Sequence, residues 1–375
     1  MVLTLAFRNL FHDRIRLIVT LVGILFSIVL VAVQLGLYLG ARKMIIGMID
    51  HANAELWITA YGAKSFEEAG SLDGRERFIA LSVPGVASVE PLVASFNEWR
   101  KPDGGATLTV IVGTDMTAGG LKPWNVVEGQ ASAIFDPNGV AVDRSYLDNL
   151  GVKGLGDTAQ IEAHRVKITA LTEGIRSFTT APYVFMPLAR ARSMTGMTGN
   201  QTTFLLVKLE PGTDVATVQK ALKERLPSIE VLTTATFRDR SLAHWLFSTG
   251  AGVALIGGAL LGLLVGTVIV AQTLYSSTKD HLNEFATLRA LGSSAGYIHR
   301  VILLQAALSA AIGYALGMII AMTIIYFSQN TALPIIMTPG LAAGLLALTV
   351  FMCAISALAA IMKVTRIDPA MVFAR

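Results

Sequence analysis

Long uncharged stretches divide this 375-residue chain. One runs from Leu17 to Ala41, a second lies within Leu246–Tyr275, and a third extends from Val301 to Met362. A transmembrane helix needs about 20 apolar residues, so the first two stretches predict one span each. The third is too long for one helix. Residues 328–339, which include two prolines, favour a turn that divides it into two spans.

This pattern predicts a membrane protein with four transmembrane α-helices and a periplasmic α/β (α+β) domain inserted between spans 1 and 2. In chain order we expect a cytoplasmic amphipathic segment (1–16), span 1 (17–41), the extracytoplasmic domain (42–244), span 2 (246–275), a cytoplasmic coupling segment (276–299), span 3 (300–327), a short periplasmic loop (328–339), span 4 (340–362) and a cytoplasmic tail (363–375). Span 1 exceeds the apolar core of a signal peptide, about 7–15 residues, and predicts a retained signal anchor.

Lysine and arginine in short segments beside the spans predict the orientation. If the N-terminus lies in the cytoplasm, nine basic residues near span ends lie there too. They are Arg8, Arg14, Arg16, Lys279, Arg289, Arg300, Lys363, Arg366 and Arg375. Against this, Arg42, Lys43, Arg238 and Arg240 would lie outside, but they belong to a long domain, and long domains translocate largely regardless of charge. We therefore expect a multi-pass membrane protein with both termini in the cytoplasm.

Composition agrees with a membrane protein, since the chain is 53% hydrophobic and 15% charged, with a mean hydropathy of +0.59. Soluble domains carry about 25% charged residues. The net charge of +4 follows the membrane borders, so it indicates topology and not nucleic-acid binding. No charge lies in the middle of a span, which disfavours an ion channel or a proton-driven carrier. The single cysteine, Cys353, excludes an intrachain disulfide, and we expect it to be a packing residue.

The inserted domain has a mixed α/β pattern. Runs at Glu55–Ala60, Thr107–Val112 and Tyr183–Met186 predict strands. Asp73–Trp99 predicts a short helix that stops at a Val-Pro-Gly sequence and is followed by a strand. Further short strands are expected within Gly139–Met186.

The clearest unit is Thr203–Thr233, where Phe204–Leu209 predicts a strand and Thr213 is expected to cap the following helix. One face of this helix is apolar, with Val215, Val218, Leu222 and Leu226. Ile229–Leu232 predicts a second strand, which completes a β-α-β unit.

No residue pattern in this domain indicates catalysis or metal binding, and we expect no catalytic site, metal or cofactor. Gly151, Gly154 and Gly156 lack the Lys-Ser/Thr pair of a phosphate-binding Walker loop, which favours an ordinary turn. Four acids lack EF-hand spacing and are expected to be solvated loop residues: Asp115, Asp136, Asp143 and Asp157. For Trp57, Trp99 and Trp124, core packing is favoured over contact with a partner.

Small residues recur at spacing four in the spans. Span 2 has Gly258, Gly262 and Gly266, and the other spans have Gly36/Gly40, Gly313/Gly317 and Gly340/Gly344. Such residues let helix backbones approach closely in lipid. Two interpretations stay open: packing within one four-helix subunit, or a dimer seam along span 2.

A charged island, Lys279–Gly292, lies between two uncharged stretches. Leucine or phenylalanine recurs every third residue from Leu282 to Leu291, which predicts one apolar helix face. Glu284 near the start and Arg289 near the end suit the helix dipole. Such a helix can lie in the headgroup layer or dock on a cytoplasmic protein, and its acidic start favours the protein.

These residues carry a family resemblance. Glu284–Gly292 (EFATLRALG) resembles the E-x-x-x-LRALG motif that precedes the third span of MacB/FtsX-type ABC transporter permeases. In matching chain order, Leu5–Leu10 (LAFRNL), Val83–Val89 (VPGVASV), Gly139–Asp157 and Ile367–Phe373 (IDPAMVF) resemble other stretches of that family. The Gln-Leu-Gly sequence at 34–36 and the absence of a fused ATPase look closest to DevC-type permeases.

The resemblance implies a location in the bacterial inner (plasma) membrane, a mechanism and a set of partners. Two permease copies in the lipid bilayer would pair with a dimer of a separate cytoplasmic ABC ATPase, so the permease itself would not be an enzyme. Closure of the ATPases would move the island, whose coupling residues would be Leu282, Glu284, Phe285, Leu288, Arg289, Leu291 and Gly292. The spans would pass this movement to the outside domain, where MacB- and DevC-like systems recruit a periplasmic adaptor and an outer-membrane channel.

Three functions fit the resemblance. The leading hypothesis is the export permease of a tripartite ABC system. One alternative is an FtsX-like regulator of an extracytoplasmic partner such as a cell-wall hydrolase, and another is a LolC/LolE-like lipoprotein-release permease. The substrate is not predicted, because the outside domain has no substrate-specific motif.

Overall fold

The computed structural model describes residues 2–12, 14–116, 119–280, 295–329, 331 and 333–365. The chain divides into two compact units. The membrane unit comprises Met1–Gly40, Val253–Gln329 and Pro334–Arg375, and the inserted unit comprises Ala41–Gly252 and Asn330–Leu333.

Helices and strands alternate mainly in the inserted unit. The helices are α1 (Val2–His12), α2 (Arg14–His51), α3 (Glu76–Leu81), α4 (Leu147–Leu150), α5 (Leu188–Met194), α6 (Val215–Arg225), α7 (Thr234–Leu242), α8 (Ala251–Asp280), α9 (Ala295–Ser328) and α10 (Pro339–Thr365). The strands are β1 (Leu56–Thr59), β2 (Val86–Arg100), β3 (Ala106–Thr114), β4 (Val126–Gly129), β5 (Gly139–Asp143), β6 (Thr158–Ile161), β7 (His164–Thr172), β8 (Tyr183–Pro187), β9 (Phe204–Leu209) and β10 (Glu230–Thr233). Short 3₁₀ turns occur at Ala131–Phe135 and Arg144–Tyr146, and a π-helical turn at Ala243–Ser248.

Among the described residues, four helices are long and apolar enough to cross a membrane: Leu17–His51, Ala251–Ser276, His299–Ser328 and Pro339–Ala359. The predicted class of four spans with an inserted α/β domain is therefore confirmed.

At the N-terminus, α1 buries Ala6 in the same apolar cluster as Val301 of α9, while Phe7 and Phe11 stay exposed.

The helix of span 1 does not end at Ala41, where the predicted span ends. Arg42 and Lys43 are exposed there, and the helix continues to His51. The continuation has its own apolar stripe of four buried residues at helical spacing, Met44, Ile45, Met48 and Ile49. The charged pair therefore marks a change of surroundings and not a helix end.

The helix of span 2 starts later than the predicted residue, Leu246. That residue lies in the π-helical turn, and Gly250 follows with φ +79°. A left-handed residue of this kind ends a helical segment, and glycine adopts it without steric cost. The apolar helix α8 therefore begins only at Ala251.

The inserted unit is built on a ten-stranded sheet of order β10-β1-β9-β2-β3-β8-β5-β7-β4, in the part of the chain that the structure describes, with β6 pairing β2 and β7. The β3–β8 and β5–β7 pairs are parallel. The predicted β-α-β unit exists as β9-α6-β10, but β1 lies between its two strands and runs antiparallel to both. Sequence neighbours alone could not show this insertion.

Both faces of the sheet are covered, which explains why several strands are apolar without interruption. In β1, Leu56 and Ile58 pack toward α3 and α6, whereas Trp57 points into a second cluster on the other face. That second cluster also contains Met48 and Ile49 of α2. Thus the end of α2 is part of the inserted unit's core.

The start of α6 corrects one prediction. Asp214, and not Thr213, is the N-cap residue, and its carboxylate accepts a hydrogen bond from the Thr217 backbone N–H at 2.9 Å. A carboxylate caps the positive end of a helix well because charge and hydrogen bond act together. The apolar face is as predicted, with Val218, Leu222 and Leu226 buried.

Candidate functional site

The glycine stripe of span 2 faces α2 of the same chain. A Cβ built on Gly262 would lie 2.9 Å from Leu30 Cδ2, and one on Gly266 would lie 2.4 Å from Ser27 Cβ. At Gly258 the nearest atom is Gln34 Nε2, 2.7 Å away. Successive glycines along α8 thus meet successive turns of α2 in reverse order. The stripe therefore contacts α2 within the chain, and the dimer seam along span 2 stays a prediction.

The same helix, α2, is packed against α9 and the loop before α10. Cβ atoms on Gly313 and Gly317 of α9 would meet Ile24 and Ile28 at 2.5 and 3.0 Å. Toward the other end of α2, Gly36 O accepts a hydrogen bond from the Ile336 backbone N–H at 3.1 Å. Glycines therefore let α2 occupy the centre of the membrane unit.

Gly36 and Gly40 lie beneath the loop that precedes α10. A Cβ on Gly40 would lie 2.1 Å from Pro334 O. In contrast, no heavy atom of the residues that the structure describes lies within 4 Å of a Cβ built on Gly344. The Gly340/Gly344 pair therefore takes no part in comparably close packing among the described residues.

Hydrogen bonds between spans add to this packing. Ser356 Oγ on α10 donates to Thr267 O on α8 at 3.1 Å. Tyr314 Oη on α9 donates to Ala342 O on α10 at 2.9 Å. Hydrogen bonds between helices are typical of membrane proteins, because buried polar groups have no water to bind in lipid. They join α8, α9 and α10 around α2.

The predicted coupling residues lie outside the described residues. They are Leu282, Glu284, Phe285, Leu288, Arg289, Leu291 and Gly292. The structure describes α8 up to Asp280 and α9 from Ala295. The docking role of this segment stays a prediction.

The end of α2 is fastened inside the inserted unit by polar contacts that the sequence did not indicate. The Asp50 carboxylate accepts from Arg238 Nε on α7 at 2.9 Å. The ring of His51 stacks on Trp124, with centroids 3.8 Å apart and an interplanar angle of 3°. Arg238 lies in α7, so this contact joins two helices near the two ends of the segment Ala41–Gly252.

A buried polar network forms a second feature that the sequence did not indicate. Glu67 is buried and accepts hydrogen bonds from the Tyr183 hydroxyl and from Ser177 Oγ. Burial is the main cause that raises the pKa of the Glu67 carboxyl, and burial also raises the pKa of Tyr183 well above its ordinary value. The nearby Tyr146 has its pKa raised to about 12, again mainly by burial. These groups come from distant parts of the chain, and only the fold brings them together.

The weaker candidates are mostly structural. Gly151 is a left-handed C-cap of α4, which supports the turn interpretation. Trp57 and Trp99 are fully buried, so core packing is confirmed for both. Asp143 corrects the prediction of a solvated acid: it is buried and accepts hydrogen bonds from the backbone N–H groups of Ser145 and Ile175 at 3.0 and 2.7 Å.

Comparison with protein families fits this architecture. Residues 17–225 match the MacB-like periplasmic core domain, and residues 256–369 match the FtsX-like permease C-terminal domain. The first match alone covers more than half of the chain. The chain belongs to the MacB/FtsX-type ABC transporter permeases. It is the permease part of such a transporter and a multi-pass protein of the inner membrane.

One curated relative of this MacB/FtsX-type permease is the macrolide export ATP-binding/permease protein MacB of Sodalis glossinidius (strain morsitans). It is 23% identical over 343 residues, which cover 86% of this chain and 52% of the relative. The chain thus spans about half the length of that relative.

Two solved structures are similar to the inserted unit. The periplasmic region of MacB from Actinobacillus actinomycetemcomitans is 12% identical, with a TM-score of 0.39, covering 52% of this chain and 96% of that one. The extracellular domain of the transporter YknZ from Gram-positive bacteria is 14% identical, with a TM-score of 0.36, covering 48% and 99%. Because both TM-scores are below 0.5, the assignment of the chain to its family depends on the family match alone.

Proposed function

We propose that this permease is the membrane subunit of an ATP-driven exporter and that its spans transmit movement to the inserted unit. The observation that carries the proposal is the position of α2. Glycine contacts pack α2 against both α8 and α9, and these two helices flank the segment 281–294 that we expect to dock on an ATPase. A push on that segment reaches α2 through both neighbours.

The length of α2 supports this role. Its 38 residues extend roughly 57 Å at 1.5 Å per residue, whereas the hydrocarbon core of a bilayer is about 30 Å thick. Its last turns are buried in the core of the inserted unit through Met48 and Ile49. The chain thus passes from the membrane unit into the inserted unit within this helix.

The partners follow from the family and complete the proposal. A dimer of a separate cytoplasmic ATPase supplies the ATP hydrolysis, and a second copy of the permease supplies the other half of the membrane assembly. Both termini lie in the cytoplasm, and the inserted unit is periplasmic. There it engages an adaptor that leads to an outer-membrane channel.

The decisive test concerns the island. Leu288→Asp places a charge on the predicted apolar face, and burying an unpaired charge in an interface is costly. We expect the variant to lose co-purification with the cognate ATPase and to lose stimulation of ATP hydrolysis. Ala290→Asp is the matched control, because it lies about 200° further around the predicted helix and should retain binding. Equal ATPase capture by Leu288→Asp and the unaltered chain would remove the docking assignment.

A separate experiment identifies the outside partner. The full permease–ATPase complex would be captured from membranes after crosslinking on the periplasmic side. Recovery of an adaptor supports export, whereas recovery of a cell-wall hydrolase would replace export with regulation. ATP-dependent release of a lipoprotein from proteoliposomes that hold the purified complex would instead show a lipoprotein-release permease.

A further inference from the structure

We infer that a cleft in the inserted unit binds a small monoanionic carboxylate attached to an apolar group. The cleft has a volume of about 360 Å³, at the lower end of small-ligand pockets, about 300–1,000 Å³. Its walls come from α3, α5, the end of β3 and the loop before β9. This binding site is independent of the coupling role proposed above.

Two arginines provide the positive charge of the cleft. Arg192 on α5 donates from Nε to Gln201 O at 2.8 Å and from Nη2 to Asn200 O at 3.1 Å. These are neutral carbonyl oxygens, and among the described residues no carboxylate lies within ion-pair distance of Arg192. The guanidinium is half-buried, and an arginine has five N–H donors, so most of its donors stay available to an anion.

Arg77 on α3 lines the same cleft and is only loosely paired. Its Nη2 lies 3.8 Å from Glu90 Oε2, beyond hydrogen-bond distance, while its Nε donates to Val89 O at 2.8 Å. Burial lowers the pKa of the Arg192 guanidinium, and the nearby charge of Arg77 lowers it further. Both arginines line the cleft, so an anion bound there would be attracted by both.

One buried hydroxyl of the cleft has no hydrogen-bond partner in the part of the chain that the structure describes. Thr114 lines the cavity and is fully buried, and its Oγ1 has no hydrogen-bond partner among the described residues. Buried hydroxyls nearly always have a partner. This oxygen is itself buried, so the two arginines, and not the hydroxyl, are the groups that a ligand in the cleft meets first.

The remaining lining determines the ligand class. Phe78, Phe135 and Leu188 are apolar wall residues, and both phenylalanines are exposed (62% and 43%), so an apolar group on the ligand would cover them. Asp115 also lines the cleft. Its negative charge disfavours a dianion such as a phosphate monoester and favours a monoanionic carboxylate.

The test measures binding of N-acetyl-phenylalanine and of octanoate to the full chain in lipid nanodiscs. N-acetyl-phenylalaninamide, which lacks the charge, is the ligand control and should bind at least about tenfold more weakly. Binding of the first acid indicates a peptide-type carboxylate, binding of the second indicates an acyl carboxylate, and either supports the site. If neither acid binds, or if acid and amide bind equally, the site is refuted.

Variants locate the binding within the cleft. Arg192→Gln should weaken binding of the acid about tenfold, whereas Arg100→Gln, an exposed arginine in the same unit that pairs with Glu98, should leave it unchanged. Asp115→Asn should strengthen binding about threefold, since it removes a repelling charge. A gain of affinity cannot result from misfolding. Equal affinities of Arg192→Gln and Arg100→Gln would refute the assignment.

Discussion

The two units achieve close packing with opposite side-chain sizes. In the membrane unit, helices meet where one side has no side chain, as at Gly262 against Leu30 and Gly313 against Ile24. In the inserted unit, the core is filled by large rings, with Trp57 contacting Phe204 and Phe237 at centroid distances of 5.3 and 5.0 Å. The same chain therefore uses its smallest and largest residues for one purpose.

The difference reflects the two solvents. In water, burial of apolar area stabilises the fold in proportion to that area, so large side chains contribute most. In lipid, the surroundings are as apolar as the side chains, so association depends on close contact and on hydrogen bonds. Truncation should therefore damage the inserted unit most, whereas enlargement should damage the membrane unit most.

The largest effect is expected for truncation in the inserted core. Trp57→Ala should destabilise the inserted unit by about 3–5 kcal/mol because it leaves a cavity. Hydrogen exchange at β1 and β9 would measure this loss. Trp57→Phe should cost much less, since it keeps an aromatic ring and removes a buried indole N–H that has no hydrogen-bond partner among the described residues. Equal losses of stability in Trp57→Ala and Trp57→Phe would contradict the argument that stabilisation follows the buried apolar area.

Enlargement in the membrane unit comes next. Gly266→Leu should lower the stability of the helix bundle by about 1–3 kcal/mol, because its Cβ alone would overlap Ser27. Gly257→Leu is the matched control on the same helix, since no heavy atom in the described part of the chain lies within 4 Å of a Cβ built there. Thermal unfolding in detergent would compare the two. The packing role of the stripe is wrong if both variants unfold at the same temperature.

A smaller effect concerns acid stability in the inserted unit. The hydrogen bond from Arg240 is the main cause that lowers the pKa of Glu230 below its ordinary value of 4.5, and Arg240 bonds both carboxylate oxygens at 2.6 and 3.1 Å. Since the folded pKa is the lower one, this stabilisation is fully present above pH 4.5 and is lost as pH falls through the lowered pKa. Glu230→Gln should therefore cost about 1 kcal/mol at neutral pH, and this difference should vanish in acid.

The smallest effect is expected at the end of α2. Asp50 and Arg238 are about one-third exposed, and pairs of this kind contribute about 0–1 kcal/mol. A double-mutant cycle with Asp50→Asn and Arg238→Gln should give a coupling energy below about 1 kcal/mol. A much larger coupling would show that this contact, and not the apolar stripe of Met48 and Ile49, fastens α2 to the inserted unit.

Several features were predictable because they depend on neighbours in sequence. The strand at β1 and the apolar face of α6 follow local periods, and the structure has both. The end of α2 was not predictable. Arg42 and Lys43 look like the end of a membrane span, and the apolar stripe from Met44 to Ile49 has a function only when the residues that it packs against are known. The cap of α6 was misplaced by one residue, since Thr213 and Asp214 both have the required chemistry.

The candidate cleft shows the same limit more strongly. Arg77, Thr114 and Arg192 lie far apart in the chain, and each alone is an ordinary residue of a helix or strand. The same holds for Glu67 and Tyr183, because no sequence spacing predicts their buried hydrogen bond. Pairs of this kind have no periodic pattern.

By itself, the sequence determined the four spans, the class of the inserted domain and the small residues at helical spacing. These follow from local hydropathy and from the 3.6-residue period of a helix. Only the tertiary structure decided that the span 2 glycines face α2, that β1 lies between β9 and β10, and that two arginines share a cleft. The physical reason is that close approach and shared burial depend on which distant segments meet, and this is a property of the packed chain.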